Sequence, residues 1–143
     1  MQTFVTKGAS GTRALGERLG AALRGRTGGR VVALFGGMGM GKTVFVTGVA
    51  AGMGLCDAVC SPTFAIVNVY GDDALCHFDM YRVQTWEDLL STGFFEYLDA
   101  GSVLCVEWSE NIENALPADA VCVTLRQGNA EDERVVTVEG IEL

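Results

Sequence analysis

Basic residues are scarce in this chain. Ten Lys plus Arg stand against eighteen Asp plus Glu in 143 residues, a net charge of −8, and no basic run occurs anywhere. Nucleic-acid binding draws much of its affinity from neutralising phosphates, so little direct polynucleotide binding is expected. If the chain serves a nucleic-acid process, a partner is expected to hold the strand. Long apolar runs are missing too, and nothing approaches the roughly 20 residues needed to span a bilayer, so no membrane association is expected. The opening MQTFVTKGAS has no basic segment followed by an apolar stretch, which argues against a secretory signal and makes the cytoplasm the expected compartment. Cysteine is present five times, an odd number, and Cys56 and Cys60 are four apart rather than at C-x-x-C spacing. Four of the five sit among apolar neighbours, so free buried thiols are expected rather than a metal site.

What remains is ordinary globular composition, 49% apolar and 20% charged. The length suits one domain, 1–143, without linker or repeat. TFVT (3–6) reads as a short strand. Ser10 reads as the N-cap of a helix, SGTRALGERLGAALRG, with Leu15, Leu19, Ala22 and Leu23 on one face. VVALF (31–35) is an apolar, β-branched run suited to a central strand buried on both faces. A helix is expected from about Lys42 to Met53, ended by Gly52 and Gly54. FAIVNVY (64–70) and ALCHFDM (74–80), joined by GDD, read as a hairpin. TWEDLLSTGFFEYLDAG reads as helix, break at Gly93, and a second short helix, followed by the strand SVLCVEW (102–108). AVCVTLRQGNAEDERVVTVEGIEL holds two alternating runs, most simply a C-terminal hairpin. Strands alternating with helices imply a three-layer α/β fold around a mixed, mostly parallel sheet.

Between VVALF and the second helix lies GGMGMGKT. Four glycines in six positions, Gly36, Gly37, Gly39 and Gly41, cost entropy to order and suit neither helix nor strand. Their spacing with Lys42 and Thr43 matches G-x-x-x-x-G-K-[ST] in full, in the strand–loop–helix setting a phosphate-binding loop requires. The loop backbone from Gly37 through Met38, Gly39, Met40 and Gly41 to Val44 is expected to cradle the β- and γ-phosphates of ATP. Lys42 is expected to reach those phosphates and the Thr43 hydroxyl to ligate Mg²⁺. A triphosphate site also needs acids for the metal and the attacking water, and two apolar strands end in one: ALCHFD at Asp79 and SVLCVE at Glu107. Thr63, in the polar SPTF loop, is placed to sense a γ-phosphate or is a plain turn residue after Pro62. His77 shares a strand face with Asp79 and is read as a partly buried structural histidine. Trp86 and Phe94–Phe95 are read as core or interface residues rather than base-stacking platforms.

The ordered set GGMGMGKT, SPTFAIVNVY, HFDMYR and VEWSEN resembles the TsaE (formerly YjeE) family, the small ATPases of bacterial tRNA threonylcarbamoyladenosine biosynthesis. The similarity runs from the ALGERLG helix near Thr12 to the C-terminal hairpin. The resemblance implies a P-loop fold and a weak ATPase that works with a two-protein threonylcarbamoyl-transferase complex of TsaD and TsaB type. That pair modifies the adenosine next to the anticodon in tRNAs reading ANN codons, and ATP would serve to reset it between turnovers. By position it implies that Lys42 and Thr43 bind phosphate and Mg²⁺. It further makes Asp79 the Walker-B-type acid, Glu107 the second metal-site residue and Thr63 a switch-like threonine. Thr12 falls near the nucleotide base, and Arg134 in the tail approaches the nucleotide. Two departures stand out: Gly37 where the family commonly has Asp, and Ser109 where Pro usually follows VEW.

Three rival readings make different demands on the residues. A small-molecule kinase needs a substrate pocket and an arginine-bearing lid to exclude water, for which 143 residues leave little room. A GTPase would carry N-K-x-D, which is absent. A nucleotide-gated binding module without useful hydrolysis would not need two acids near the γ-phosphate.

Overall fold

In the computed structural model, which describes residues 1–56, 59, 60, 62 and 66–143, the chain begins with β1 (Gln2–Lys7), α1 (Gly8–Leu23), β2 (Val31–Phe35) and α2 (Lys42–Gly52). Strands β3 (Val67–Tyr70) and β4 (Leu75–Asp79) follow, then α3 (Trp86–Ser91), α4 (Phe94–Asp99) and β5 (Val103–Glu107). A 3-10 segment, Ser109–Ala115, leads to β6 (Val121–Gln127) and β7 (Glu133–Glu139). All seven strands form one sheet in the order β1-β7-β6-β2-β5-β4-β3. The central pairs β6–β2, β2–β5 and β5–β4 are parallel, and the pairs toward the edges are antiparallel. This is the expected mixed sheet, with the expected hairpins β3–β4 and β6–β7.

Period-two alternation sorts the strand residues between two cores. Val32 and Leu34 of β2, Val103 and Cys105 of β5, and Val121, Val123 and Leu125 of β6 pack with Leu15, Leu19, Phe45 and Val49 of α1 and α2. Val31, Leu104, Val106, Cys76 and Phe78 face the other way, against Leu89 of α3, Phe94 of α4 and Ile112. The three layers follow from that division.

Glycine brings α1 and α2 together. A Cβ added at Gly16 would stand 2.3 Å from the Phe45 carbonyl oxygen, and one at Gly20 would stand 2.1 Å from that of Val49. From the other helix, a Cβ at Gly48 or Gly52 would stand 2.1 Å from the carbonyl oxygen of Arg13 or Glu17. Backbone thus meets backbone, and Thr43 at the start of α2 is located by this contact.

Several expectations need correction. Helix α1 starts at Gly8, two residues before Ser10, and has no side-chain cap. The first strand runs straight into it, and the Gly8 N–H donates to the Asp132 carbonyl at 2.7 Å, so the hairpin does what the expected serine cap would have done. Ala22 is only half-buried. Cys76 and Cys105 are buried as expected and Cys122 is half-buried, but Cys56 and Cys60 are exposed, because both lie beyond α2 off the sheet. Trp86 is 57% exposed and leans on Phe95, whereas Phe94 is fully buried. Among the described residues no helix is long and apolar enough to cross a membrane.

Candidate functional site

Strand β2 delivers the chain to the glycine loop, and α2 opens directly behind it at Lys42. Gly36, Gly39 and Gly41 have φ of +144°, +78° and +99°, a region that side chains other than glycine rarely enter. At Gly36 space forbids a side chain as well, since a Cβ would lie 2.7 Å from the Leu125 carbonyl oxygen. Gly37 differs: its φ is not positive, and a Cβ there would meet nothing within 4 Å. A side chain would therefore fit here, and its absence removes no packing.

The first N–H groups of α2 have no partner within the helix and face the loop with the positive end of its dipole. Lys42 is buried to 7% exposure, and its Nζ donates to the Gly36 carbonyl at 2.7 Å. The same ammonium lies 5.0 Å from the centroid of the Trp108 ring. A buried ammonium with three donors and one acceptor among the described residues suits an incoming anion.

The acids arrive from neighbouring strands. Parallel pairing sets Asp79, the last residue of β4, opposite Glu107, the last of β5. Both lie on the α2 side of the sheet, the face shared by Leu75 and Cys105. The Thr43 hydroxyl donates to Glu107 Oε2 at 3.3 Å. His77 Nε2 donates to the same oxygen at 2.5 Å. Burial pushes the Glu107 carboxyl up, but the hydrogen bond and charge of His77, the Lys42 ammonium and the Thr43 hydroxyl outweigh it and hold the group below the ordinary carboxylate range. Glu107 is therefore an anion at neutral pH, set beside a hydroxyl: hard oxygens of the kind Mg²⁺ takes. Asp79 Oδ1 accepts the Tyr81 N–H at 2.9 Å, which aims its carboxylate along the strand end.

Met38, Gly39, Lys42, Thr43, Asp79, Glu107 and Trp108 line one open cavity of about 470 Å³. A second, of about 260 Å³, lies across the loop and is lined by Ala9, Thr12, Met40, Asp132 and Arg134. Gly39, Gly41 and Val44 belong to both walls. The loop thus has a charged cavity on one side and a smaller one on the other, which suits phosphates and a base respectively. Thr12 is buried with its hydroxyl committed to Thr6 Oγ1 at 2.9 Å, so it offers the second cavity a wall.

Arg134 does more than line that cavity. Its Nε and Nη2 donate to the carbonyls of Met40 and Gly39, both at 3.3 Å. Its Nη1 donates to the Glu131 carbonyl at 2.8 Å, the Glu133 carbonyl at 2.9 Å and Gln127 Oε1 at 3.2 Å. One guanidinium therefore ties the phosphate loop to the β6–β7 turn and holds two loop carbonyls outward.

The structure brings together Lys42, Thr43, Asp79 and Glu107 on one side of the loop, and Thr12 and Arg134 on the other. Thr63 lies outside the described residues. Two residues near the acids were missed as site residues. His77 is fully buried and bonded to Glu107, a contact through space that spacing cannot reveal. Trp108 follows Glu107 with φ +59° and ψ +41°, a costly backbone for a bulky residue. Its ring reaches Lys42 on one side and Tyr81, at a centroid distance of 4.9 Å, on the other. The only sequence signal for Trp108 was its place directly after a strand-end acid. Ser109, in the usual proline position, is buried and donates to the Val106 carbonyl at 2.7 Å, so it closes this turn with a hydroxyl.

Comparison with known proteins gives the chain's relatives. The family model for the threonylcarbamoyl adenosine biosynthesis protein TsaE matches residues 6–136. The TsaE proteins of Treponema pallidum and Bacillus subtilis are 39% and 36% identical over 111 and 115 residues, 77% and 79% of this chain and 82% and 71% of theirs. That of Streptomyces coelicolor is 37% identical over 136 residues, 90% of each chain. Among solved structures, Bacillus subtilis YdiB superposes with a TM-score of 0.75 at 31% identity, covering 96% of this chain and 83% of that one.

Proposed function

The chain belongs to the TsaE family of tRNA threonylcarbamoyladenosine biosynthesis, and we propose that its part in that process is to bind and hydrolyse Mg²⁺-ATP, resetting the threonylcarbamoyl-transferase pair between turnovers. The observation that carries this reading is the joint placement of Lys42, Thr43, Asp79 and Glu107 around one cavity at the strand ends. In the proposed reaction water attacks the γ-phosphorus, the bond to the β-γ bridging oxygen breaks, and ADP and inorganic phosphate leave. Lys42 gives up its bond to the Gly36 carbonyl for the β- and γ-phosphates and neutralises charge where it develops. Thr43 and Glu107 would hold the metal, which would supply further charge neutralisation. Asp79, on the adjacent strand end, is left to orient the attacking water. Trp108 covers the Lys42 ammonium and keeps bulk water from it. With a net charge of −8, the chain leaves the tRNA to its partners.

Steady-state ATPase, alone and with the purified transferase pair, run beside multi-turnover tRNA modification, tests the proposal. Stimulation by the pair, and loss of both hydrolysis and repeated modification in Lys42→Ala, is the expected result. Turnover that ignores the pair and rises with a small hydroxyl metabolite would make the protein a kinase. A Glu107→Gln chain that binds ATP, hydrolyses none and still sustains modification would make it a nucleotide-gated module.

A further inference from the structure

We propose that His77 is a positioning residue for Glu107, pinning one carboxylate oxygen so that the other is presented to the metal. This rests on the reading of Glu107 as a metal-site residue. His77 is the only histidine in the chain, and it sits in β4 between Asn68 of β3 and Cys105 of β5. Its side chain is wholly buried, and its Nε2 lies 2.5 Å from Glu107 Oε2. An ionised carboxylate can only accept, so Nε2 carries the proton. Nδ1 is buried too and has no hydrogen-bond partner among the described residues. The bond to Glu107 is therefore the ring's one polar contact there.

A packing role alone does not account for that residue. Its strand neighbours Cys76 and Phe78 point into the opposite core, and an apolar side chain at 77 would bury no unpartnered nitrogen. What the ring supplies is a fixed donor. The terminal torsion of a glutamate is broad, so its carboxylate swivels readily unless something holds it. Both donors that reach Glu107, His77 and Thr43, fall on Oε2, and no donor among the described residues reaches Oε1. Thr43 is an anchor only while its hydroxyl points this way. The histidine, locked between two strands, holds Oε2 whatever Thr43 does and leaves Oε1 free for the metal. Partners of this kind orient metal-binding carboxylates as well as histidines.

The experiment compares His77→Gln, whose amide nitrogen reaches the Nε2 position, with His77→Asn and His77→Leu, which place no donor there. Two quantities are read on each folded variant: the Mg²⁺ concentration at half-effect on binding of N-methylanthraniloyl-ADP, and kcat and KM for ATP at saturating Mg²⁺. Asn and Leu are expected to raise the Mg²⁺ midpoint and lower kcat by about 10- to 100-fold. KM is expected to stay within about 2-fold, and Gln to recover most of both losses. If Leu does not fold, Gln against Asn carries the comparison. Equal values for Gln and Asn, or a wild-type midpoint in either donor-less variant, overturn the proposal. A wild-type chain that hydrolyses no ATP refutes the proposed function instead, and the Mg²⁺ midpoint still decides on His77.

Discussion

Replacing Gly20 or Gly48 by alanine should loosen the site from a distance. In either case the new Cβ would sit 2.1 Å from a backbone carbonyl oxygen of the facing helix, where ordinary contact begins near 3.4 Å. The overlap of 1.3 Å, the difference of those two distances, falls on backbone, which cannot rotate away. The helices must therefore part, and the contacts of Leu19, Phe45 and Val49 between them loosen. Overpacking of this kind costs about 1–3 kcal/mol. Alanine returns about 0.5–1 kcal/mol of helix preference over glycine. Taken at the middle of both ranges the net loss is about 1 kcal/mol, or a Tm lower by roughly 3–5 °C for a chain of this size. Gly11→Ala is the internal control, on the same helix but with its Cβ at an ordinary 3.5 Å from Thr6. There only the preference counts, and Tm should rise by roughly 2–3 °C. Because α2 opens with Lys42 and Thr43, ADP binding by calorimetry should weaken in Gly20→Ala and Gly48→Ala and hold in Gly11→Ala. The double variant should cost less than the sum, since both changes force one separation. Were Gly20→Ala and Gly11→Ala both to raise Tm with unchanged ADP affinity, the argument from backbone contact would fail.

Arg134→Lys keeps the charge and loses the fork that grips both the loop and the β6–β7 turn, so ADP should bind about 10-fold more weakly; wild-type affinity by calorimetry would return Arg134 to a simple lining role. Glu107 is held below its ordinary 4.5, so the stability it adds is complete above that pH and is lost as pH falls through the lower folded value. The Tm gap between wild type and Glu107→Gln should therefore persist down to about pH 4.5 and close only on further acidification; a gap that closes near pH 6 would contradict this. Burial pushes the Cys76 thiol up to about 11 despite its Ser102 hydrogen bond, and pushes Cys105 higher still, with help from the Glu107 charge. Cys56 and Cys60 are exposed and Cys122 is half-buried, so a disulfide reagent at pH 8 should titrate two thiols quickly, Cys122 more slowly, and Cys76 and Cys105 only after unfolding; a fourth thiol reacting in the native chain would count against the packing described.

The parts legible in the sequence are those whose physics is local. The glycine loop is contiguous, and its glycines are required one by one by left-handed backbone at Gly36, Gly39 and Gly41. Strand β2 announces itself as a β-branched run because both its faces are buried. Asp79 and Glu107 were found by the same kind of argument, each being the polar residue that ends an apolar strand in a sheet whose strand ends converge. In chain order they are 28 positions apart, yet parallel register sets them side by side.

What escaped was set by contacts between distant segments. Ser10 has the right chemistry for a cap, but Gly8 is tied to the Asp132 carbonyl from the far end of the chain, and the helix starts there. Gly16, Gly20, Gly48 and Gly52 look like weaknesses in two helices when each is read alone, since glycine lowers helix preference. Only the facing carbonyls turn that weakness into a fit, and the one sequence signal for it is the four-residue spacing of each pair, which sets both glycines on one helix face. His77 follows the same logic. On its strand it reads as a partly buried structural histidine, and its meaning comes from Glu107, on the paired strand and thirty residues away. The local reading finds the groups that would touch phosphate and metal, because they sit where strands and loops must end. It misses the groups that hold those in place, because a supporting residue is chosen for what lies across from it in space.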